Sequence, residues 1–247
     1  NARHVSSFVK YQGKVWVLHG DANTGYLNKD VWNTSDMIHW TKISDSLPMP
    51  ERFVPMSAVL NNKMFIFGGQ QIPDYFPNAI DTVFNDVYSS TDGVTWNLET
   101  ANAGWTPRGI IHGSVVDNND TLWLLGGSRY NSYGFTDIWN TGDGITWNKV
   151  LEAAPFQGGT FTNVDYYDNK MWLIAGNNNG STDLIPDSDP EHIGDLKQVW
   201  YSSNGRDWFE LKNSPWPHRH GAATDVFNNS LYLTGGYEND FWKLIKQ

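Results

Sequence analysis

The chain has 247 residues, no cysteine and a formal net charge of −10. That charge excludes a nucleic-acid binder, which needs a basic surface, and the missing cysteine excludes disulfides, thiolate metal sites and thiol nucleophiles. No apolar run reaches the ~18 residues of a membrane helix, while 13 Trp, 11 Tyr and 12 Phe supply ample apolar area for a core.

In chain order, one unit recurs five times. It opens with a moderately apolar strand A, such as "MSAVL" at 56–60. A tight turn follows ("YQGK", "LNNK", "NNDT", "YDNK" or "FNNS"), rich in residues that tolerate left-handed backbone. Strand B is almost continuously apolar: "VWVLHG" (15–20), "MFIFGG" (64–69), "LWLLGG" (122–127), "MWLIAG" (171–176) and "LYLTGG" (231–236). Such a run predicts a strand buried on both faces.

After a loop of variable length comes strand C with its aromatic, in "DVW" (30–32), "DVY" (86–88), "DIW" (137–139) and "QVW" (198–200). A polar turn then leads into strand D and its Trp: "NTSDMIHWT" (33–41), "SSTDGVTWN" (89–97), "NTGDGITWN" (140–148) and "YSSNGRDWF" (201–209). The fifth unit lacks strand D. A repeat of about 40–50 residues belongs to propellers. The expected fold is therefore all-β, a single β-propeller domain of five four-stranded blades with the last blade incomplete. The blades run approximately 1–47, 48–101, 102–152, 153–213 and 214–247.

Alternating strand direction places the A–B and C–D turns on one face and the B–C loops and D–A linkers on the other. The B–C loops differ most, being long at 70–85 and longest at 177–197. Function sits on variable loops held by a rigid scaffold, so this is the candidate functional face. Arg3, Arg52, Arg108 and Arg219 stand there before strand A, whereas blade 4 has "QGG" at 157–159.

Two readings of the arginines stay open. They form a ring for a carboxylate or sugar, or they staple blades by pairing with a neighbouring blade's carboxylates and carbonyls. His4, His19 and His220 fall beside them. Tyr75, Trp105, Tyr130, Tyr133 and Trp216 offer stacking surfaces on the same face, although Trp105 and Trp216 also suit wedges between blades. Asp183, Asp187, Asp189 and Glu191, followed by Asp195, could hold calcium or form a solvated acidic loop.

The Gly-Gly ending strand B, the Trp of strand D and the Arg before strand A resemble a kelch-type β-propeller, such as the galactose oxidase propeller domain. The resemblance covers essentially the whole chain. Galactose oxidase chemistry implies copper and a Tyr–Cys cross-link, which a chain without cysteine does not form. The C–D turns resemble the Asp-boxes of sialidases but fall on the face away from the arginines. Kelch-type sialic acid mutarotases are the closer enzymatic analogue.

The expected function is a non-catalytic, lectin-like binding propeller, secreted or surface-exposed, recognising a glycan or a protein without a cofactor. The alternatives are a carbohydrate-processing enzyme, mutarotase-like or glycosidase-like, and a structural subunit of an extracellular assembly.

Overall fold

A computed structural model of the chain describes residues 3, 6–20, 28–71, 82–109, 114–117, 119–129, 134–178 and 194–245. The fold is all-β, a five-bladed β-propeller built of antiparallel sheets in the order A-B-C-D. Blade 1 comprises Ser7–Tyr11, Lys14–Leu18, Val31–Thr34 and Thr41–Ser44. Blade 2 comprises Met56–Leu60, Lys63–Phe67, Val87–Ser90 and Asn97–Thr100. Blade 3 comprises Ser114–Val116, Leu122–Leu125, Ile138–Thr141 and Asn148–Leu151.

Blade 4 comprises Asn163–Tyr167, Lys170–Ile174, Val199–Ser202 and Phe209–Glu210. Blade 5 shows three strands among the described residues, Ala222–Phe227, Ser230–Gly235 and Phe241–Lys243. The loop expected at 70–85 contributes a short ribbon, Gln70–Gln71 paired with Thr82–Val83. No helix among the described residues is long and apolar enough to cross a membrane.

Two compact units are distinguished. One contains 1–111, 120–122 and 141–147; the other contains 112–119, 123–140 and 148–247. In the first, the core gathers Val9, Tyr11, Trp16 and Leu18 of blade 1 with Met64, Ile66 and Trp96 of blade 2. In the second, one cluster joins Trp123 and Leu125 to Val164, Leu173 and Trp208, and another joins Trp172 and Ile174 to Leu231 and Leu233. Strand B is almost wholly buried in blades 2, 3 and 4, whereas Lys14 in blade 1 and Thr234 in blade 5 are exposed.

The C–D turns have one design. A hydroxyl at the end of strand C accepts the backbone N–H three residues on, at 2.8 Å for Ser90 and Gly93. The next acid accepts two more, as Asp92 Oδ1 does from Val94 (2.8 Å) and Thr95 (2.7 Å). Gly93 lies at φ +74° against the Trp16 ring of the preceding blade, where a Cβ would collide. The Asp-box-like stretch is thus an inter-blade fastening.

The deduced face assignment also holds locally. The Tyr11 hydroxyl, next to an A–B turn, lies 2.9 Å from the carbonyl of Asn62 in the next A–B turn. It is 3.2 Å from that of Thr91 in the next C–D turn.

Candidate functional site

The arginines repeat one arrangement. In blade 2, Arg52 donates to both Asp86 carboxylate oxygens (2.5 and 3.0 Å) and to the carbonyl of Gly68 (2.9 Å). In blade 5, Arg219 does the same with Asp240 (2.7 and 2.6 Å) and Gly235 (2.8 Å). In blade 1, Arg3 reaches Asp30 (2.7 Å) and the carbonyl of His19 (3.3 Å). Each guanidinium ties the end of strand B to the residue just before strand C.

The partners belong to the arginine's own blade, not to a neighbour, because strand C folds back directly beside the end of strand B. Arg52, Arg108 and Arg219 are fully buried. Arg108 donates Nε–H to the carbonyl of Thr106 at 2.9 Å. The guanidinium of Arg219 holds the Asp240 carboxyl down at about 2.

Blade 4 lacks both members of this pair, with Gly159 for the arginine and Gln198 for the aspartate. Gln198 performs both tasks with a neutral amide. Its Nε2 donates to the carbonyls of Gln157 (2.9 Å) and Ala175 (3.3 Å), and its Oε1 accepts from the N–H of Gln157 (3.0 Å). Ala175 stands where Gly68 and Gly235 stand in the stapled blades.

Next to this neutral corner the structure assembles a group that occurs once among the described residues. Asp195, at the end of the long blade 4 loop, is fully buried, although the sequence places it at the end of an acidic loop. Its Oδ1 accepts from Asn177 Nδ2 (2.8 Å) and lies 2.5 Å from His220 Nδ1. The backbone fixes it: Asn177 bridges to both Thr160 and Asp195, and Leu196 bridges to Arg219.

His220 retains some exposure and stands between two aromatic rings, Phe161 at 5.2 Å and Tyr237 at 5.1 Å. Phe161 (φ +53°) and Tyr237 (φ +68°) hold the left-handed conformation, costly for residues with a Cβ. A carboxylate on Nδ1 fixes the imidazole tautomer and leaves Nε2 to exchange protons with a ligand. A polar groove of about 390 Å³ borders the same carboxylate, with Gln157, Gln198, Lys197, Lys212 and His218 on its walls.

The remaining predicted positions fall elsewhere. Trp105 is buried among Phe67 and Trp147, an inter-blade wedge with no stacking face for a ligand, whereas Trp216 packs on Trp242, stays half-buried and lines an apolar cavity of about 220 Å³. His19 is fully buried in left-handed backbone (φ +57°), and neither ring nitrogen has a hydrogen-bond partner. Burial, then Arg52, Arg3 and Lys29, push its pKa down to about 3, so it is neutral at ordinary pH.

His4, Tyr75, Tyr130, Tyr133, Asp183, Asp187, Asp189 and Glu191 lie outside the described residues. Among the described residues no cluster of three His, Asp or Glu is arranged to hold a metal ion. The sequence reading did not single out Asn177 or Phe161, and it gave Asp195 no role of its own. The available signal was the joint loss of the arginine and the strand C aspartate in blade 4.

No family model matches the chain. Two curated relatives, each named N-acetylneuraminate epimerase, come from Haemophilus influenzae strains 86-028NP and PittEE. They are 24% and 22% identical over 230 and 226 residues, covering 90% of this chain and 50% of each relative. The chain thus spans about half the length of the curated relatives it matches.

The solved structure of YjhT superposes with a TM-score of 0.71 at 17% identity, covering 95% of this chain and 72% of that one, a likeness of fold. These findings correct two expectations. Named enzymes among the relatives overturn the non-catalytic binding propeller, and the kelch-type, galactose-oxidase grouping gives way to a likeness to N-acetylneuraminate epimerases.

Proposed function

We propose that the protein is a carbohydrate-processing enzyme that inverts a sugar stereocentre by acid–base catalysis, with His220 as the proton-transfer group. The Asp195–His220 pair carries this reading, supported by the epimerase relatives. The substrate class is a cyclic sugar acid of the N-acetylneuraminate type. The aromatic rings beside His220 suit the apolar face of a pyranose.

Inversion at the anomeric carbon needs only proton transfers at oxygen. A base removes the anomeric hydroxyl proton, the ring C–O bond breaks towards the ring oxygen, and that oxygen takes a proton. After rotation the steps reverse, and the ring closes with the opposite configuration. His220 Nε2 accepts and returns the proton, while buried Asp195 orients the ring. Hydrolysis of a glycosidic bond requires two carboxyl groups flanking the bond; Asp195, buried behind His220, is better placed to orient than to attack.

The test is proton NMR of a single dissolved anomer of N-acetylneuraminate. Catalysed equilibration that disappears in His220→Ala, with the fold intact by circular dichroism, supports the reading. A rate equal to the uncatalysed one with the wild-type protein refutes it.

A further inference from the structure

Strand C carries an aromatic in every blade, and in blades 1 and 3 it is a tryptophan engaged in the same two ways. Trp32 and Trp139 each donate their indole N–H to the aspartate two residues earlier, Asp30 and Asp137, at 2.7 Å. Each ring also lies beneath the lysine paired with it on strand D. Lys42 Nζ stands 5.4 Å from the Trp32 ring centre, and Lys149 Nζ stands 5.2 Å from that of Trp139. An indole holds a ligand through its ring face or its N–H, and in these blades both are in use.

Blade 4 changes both partners together. Gln198 replaces the aspartate two residues before Trp200, and its amide is committed to Gln157 and Ala175. Glu210 pairs with Trp200 where blades 1 and 3 have lysine. A carboxylate is repelled by the electron-rich face of an aromatic ring, so it does not cover the indole as an ammonium does. Gly159 in place of the arginine brings no side chain to this corner either.

Trp200 is partly buried against the core cluster of Trp123, Phe156 and Trp208. With Gln157, Gln198 and Glu210 it lines the groove of about 390 Å³, whose wall is predominantly polar. That volume falls in the range of small-molecule sites, roughly 300–1,000 Å³. A polar wall disfavours an apolar ligand, since its groups would lose water without gaining partners. Lys197 and Lys212 in the same wall oppose a cation, and Glu210 opposes an anion. A neutral, hydroxylated ring meets all three conditions.

We propose that this groove is a second sugar site, which stacks a neutral pyranoside on Trp200 while Glu210 accepts hydrogen bonds from its hydroxyls. Stacking on an indole uses the apolar face of the sugar, and an ionised carboxylate is an acceptor with two oxygens for neighbouring hydroxyls. Asp195 borders the groove but His220 does not, so the proposal does not depend on the reaction assigned to that pair.

The probes are methyl glycosides of glucose, galactose and N-acetylglucosamine, which lack the anomeric hydroxyl that the acid–base reaction needs. Their binding to the 247-residue protein is followed by saturation-transfer NMR. The indole N–H signal of Trp200, assigned from its loss in Trp200→Phe, reports where they bind. Expected is saturable binding of at least one glycoside, with a shift of this signal. Glu210→Lys, which restores the lysine of blades 1 and 3 over the ring, should bind about tenfold more weakly. Binding should persist in His220→Gln, which keeps a donor for Asp195. Circular dichroism and the Tm establish that each variant is folded.

Four results would each overturn the proposal. One is no glycoside binding to the folded protein, and another is binding that leaves the Trp200 signal unmoved. A third is undiminished binding in folded Glu210→Lys. The last is loss of binding in folded His220→Gln, which would place the sugar at the acid–base pair.

Discussion

Blade 2 and blade 4 solve one structural problem in two ways. In blade 2 the corner between strands B and C is closed by a buried ion pair, with the Arg52 guanidinium also lying 4.0 Å over the Phe84 ring. In blade 4 the two charges are replaced together by Gln198, which reaches the corresponding carbonyl. Joint replacement is what the energetics demand, because removing one member of a buried pair leaves an uncompensated charge. The pair that recurs belongs to the scaffold. The blade that abandons it carries a carboxylate committed to a histidine of blade 5, and there the proposed chemistry lies.

The comparison breaks first at His220. His220→Ala and Asp195→Asn are expected to lower anomer exchange by about 10²–10⁴-fold, the usual weight of a positioned acid–base group. Asp195→Asn should move the melting temperature little, whereas His220→Ala strands the buried Asp195 carboxyl and should lower it, so activity is compared per folded molecule. An equal activity loss in a folded Arg52→Leu/Asp86→Leu protein would instead put the chemistry in the scaffold blades.

Arg52→Ala should cost about 3–5 kcal/mol in urea unfolding by stranding Asp86, with the double leucine variant recovering much of it. Activity per folded molecule stays unchanged. Among the turns, Gly93→Ala should cost about 2 kcal/mol, since it is both left-handed and pressed on Trp16. Gly142→Ala, with open space around its Cβ position, should cost under about 0.5 kcal/mol by the same measurement.

The smallest effects concern pH. Burial raises Asp165 from 3.8 to about 6, with the Thr224 hydroxyl only partly offsetting it. The folded value lies above the unfolded one, so its contribution is fully present below 3.8 and is lost as pH rises through about 6. Asp240 behaves oppositely. Lowered to about 2 by Arg219, it contributes above 3.8 and loses that contribution as pH falls through about 2. Asp165→Asn should flatten the stability curve between pH 4 and 6, and Asp240→Asn should flatten it below pH 4, both read from thermal melts across pH.

Much of the fold was legible in the sequence because a repeat fixes its own alignment. "MFIFGG" and "MWLIAG" place the buried strands, and the turn hydroxyls with their following Asp or Asn place the hairpins. The site was less legible. Four arginines at equivalent positions drew attention as a ring, and the structure buries three of them completely. Asp195 looked like one more acid in a run of acids, since nothing local states that its side chain turns inward to Asn177 and His220.

By itself the sequence determined what is periodic: strand order, the left-handed turn positions and the tryptophan that leads into the outer strand of blades 1 to 4. These follow from local backbone preference and the alternation of apolar residues, which are properties of neighbours in the chain. Only the tertiary structure decided what is not periodic. Asp195 and His220 are separated by 25 positions and come from different blades. Their pairing depends on the bridge between Leu196 and Arg219, which sets Asp195 beside His220, a contact between distant segments that no repeat encodes.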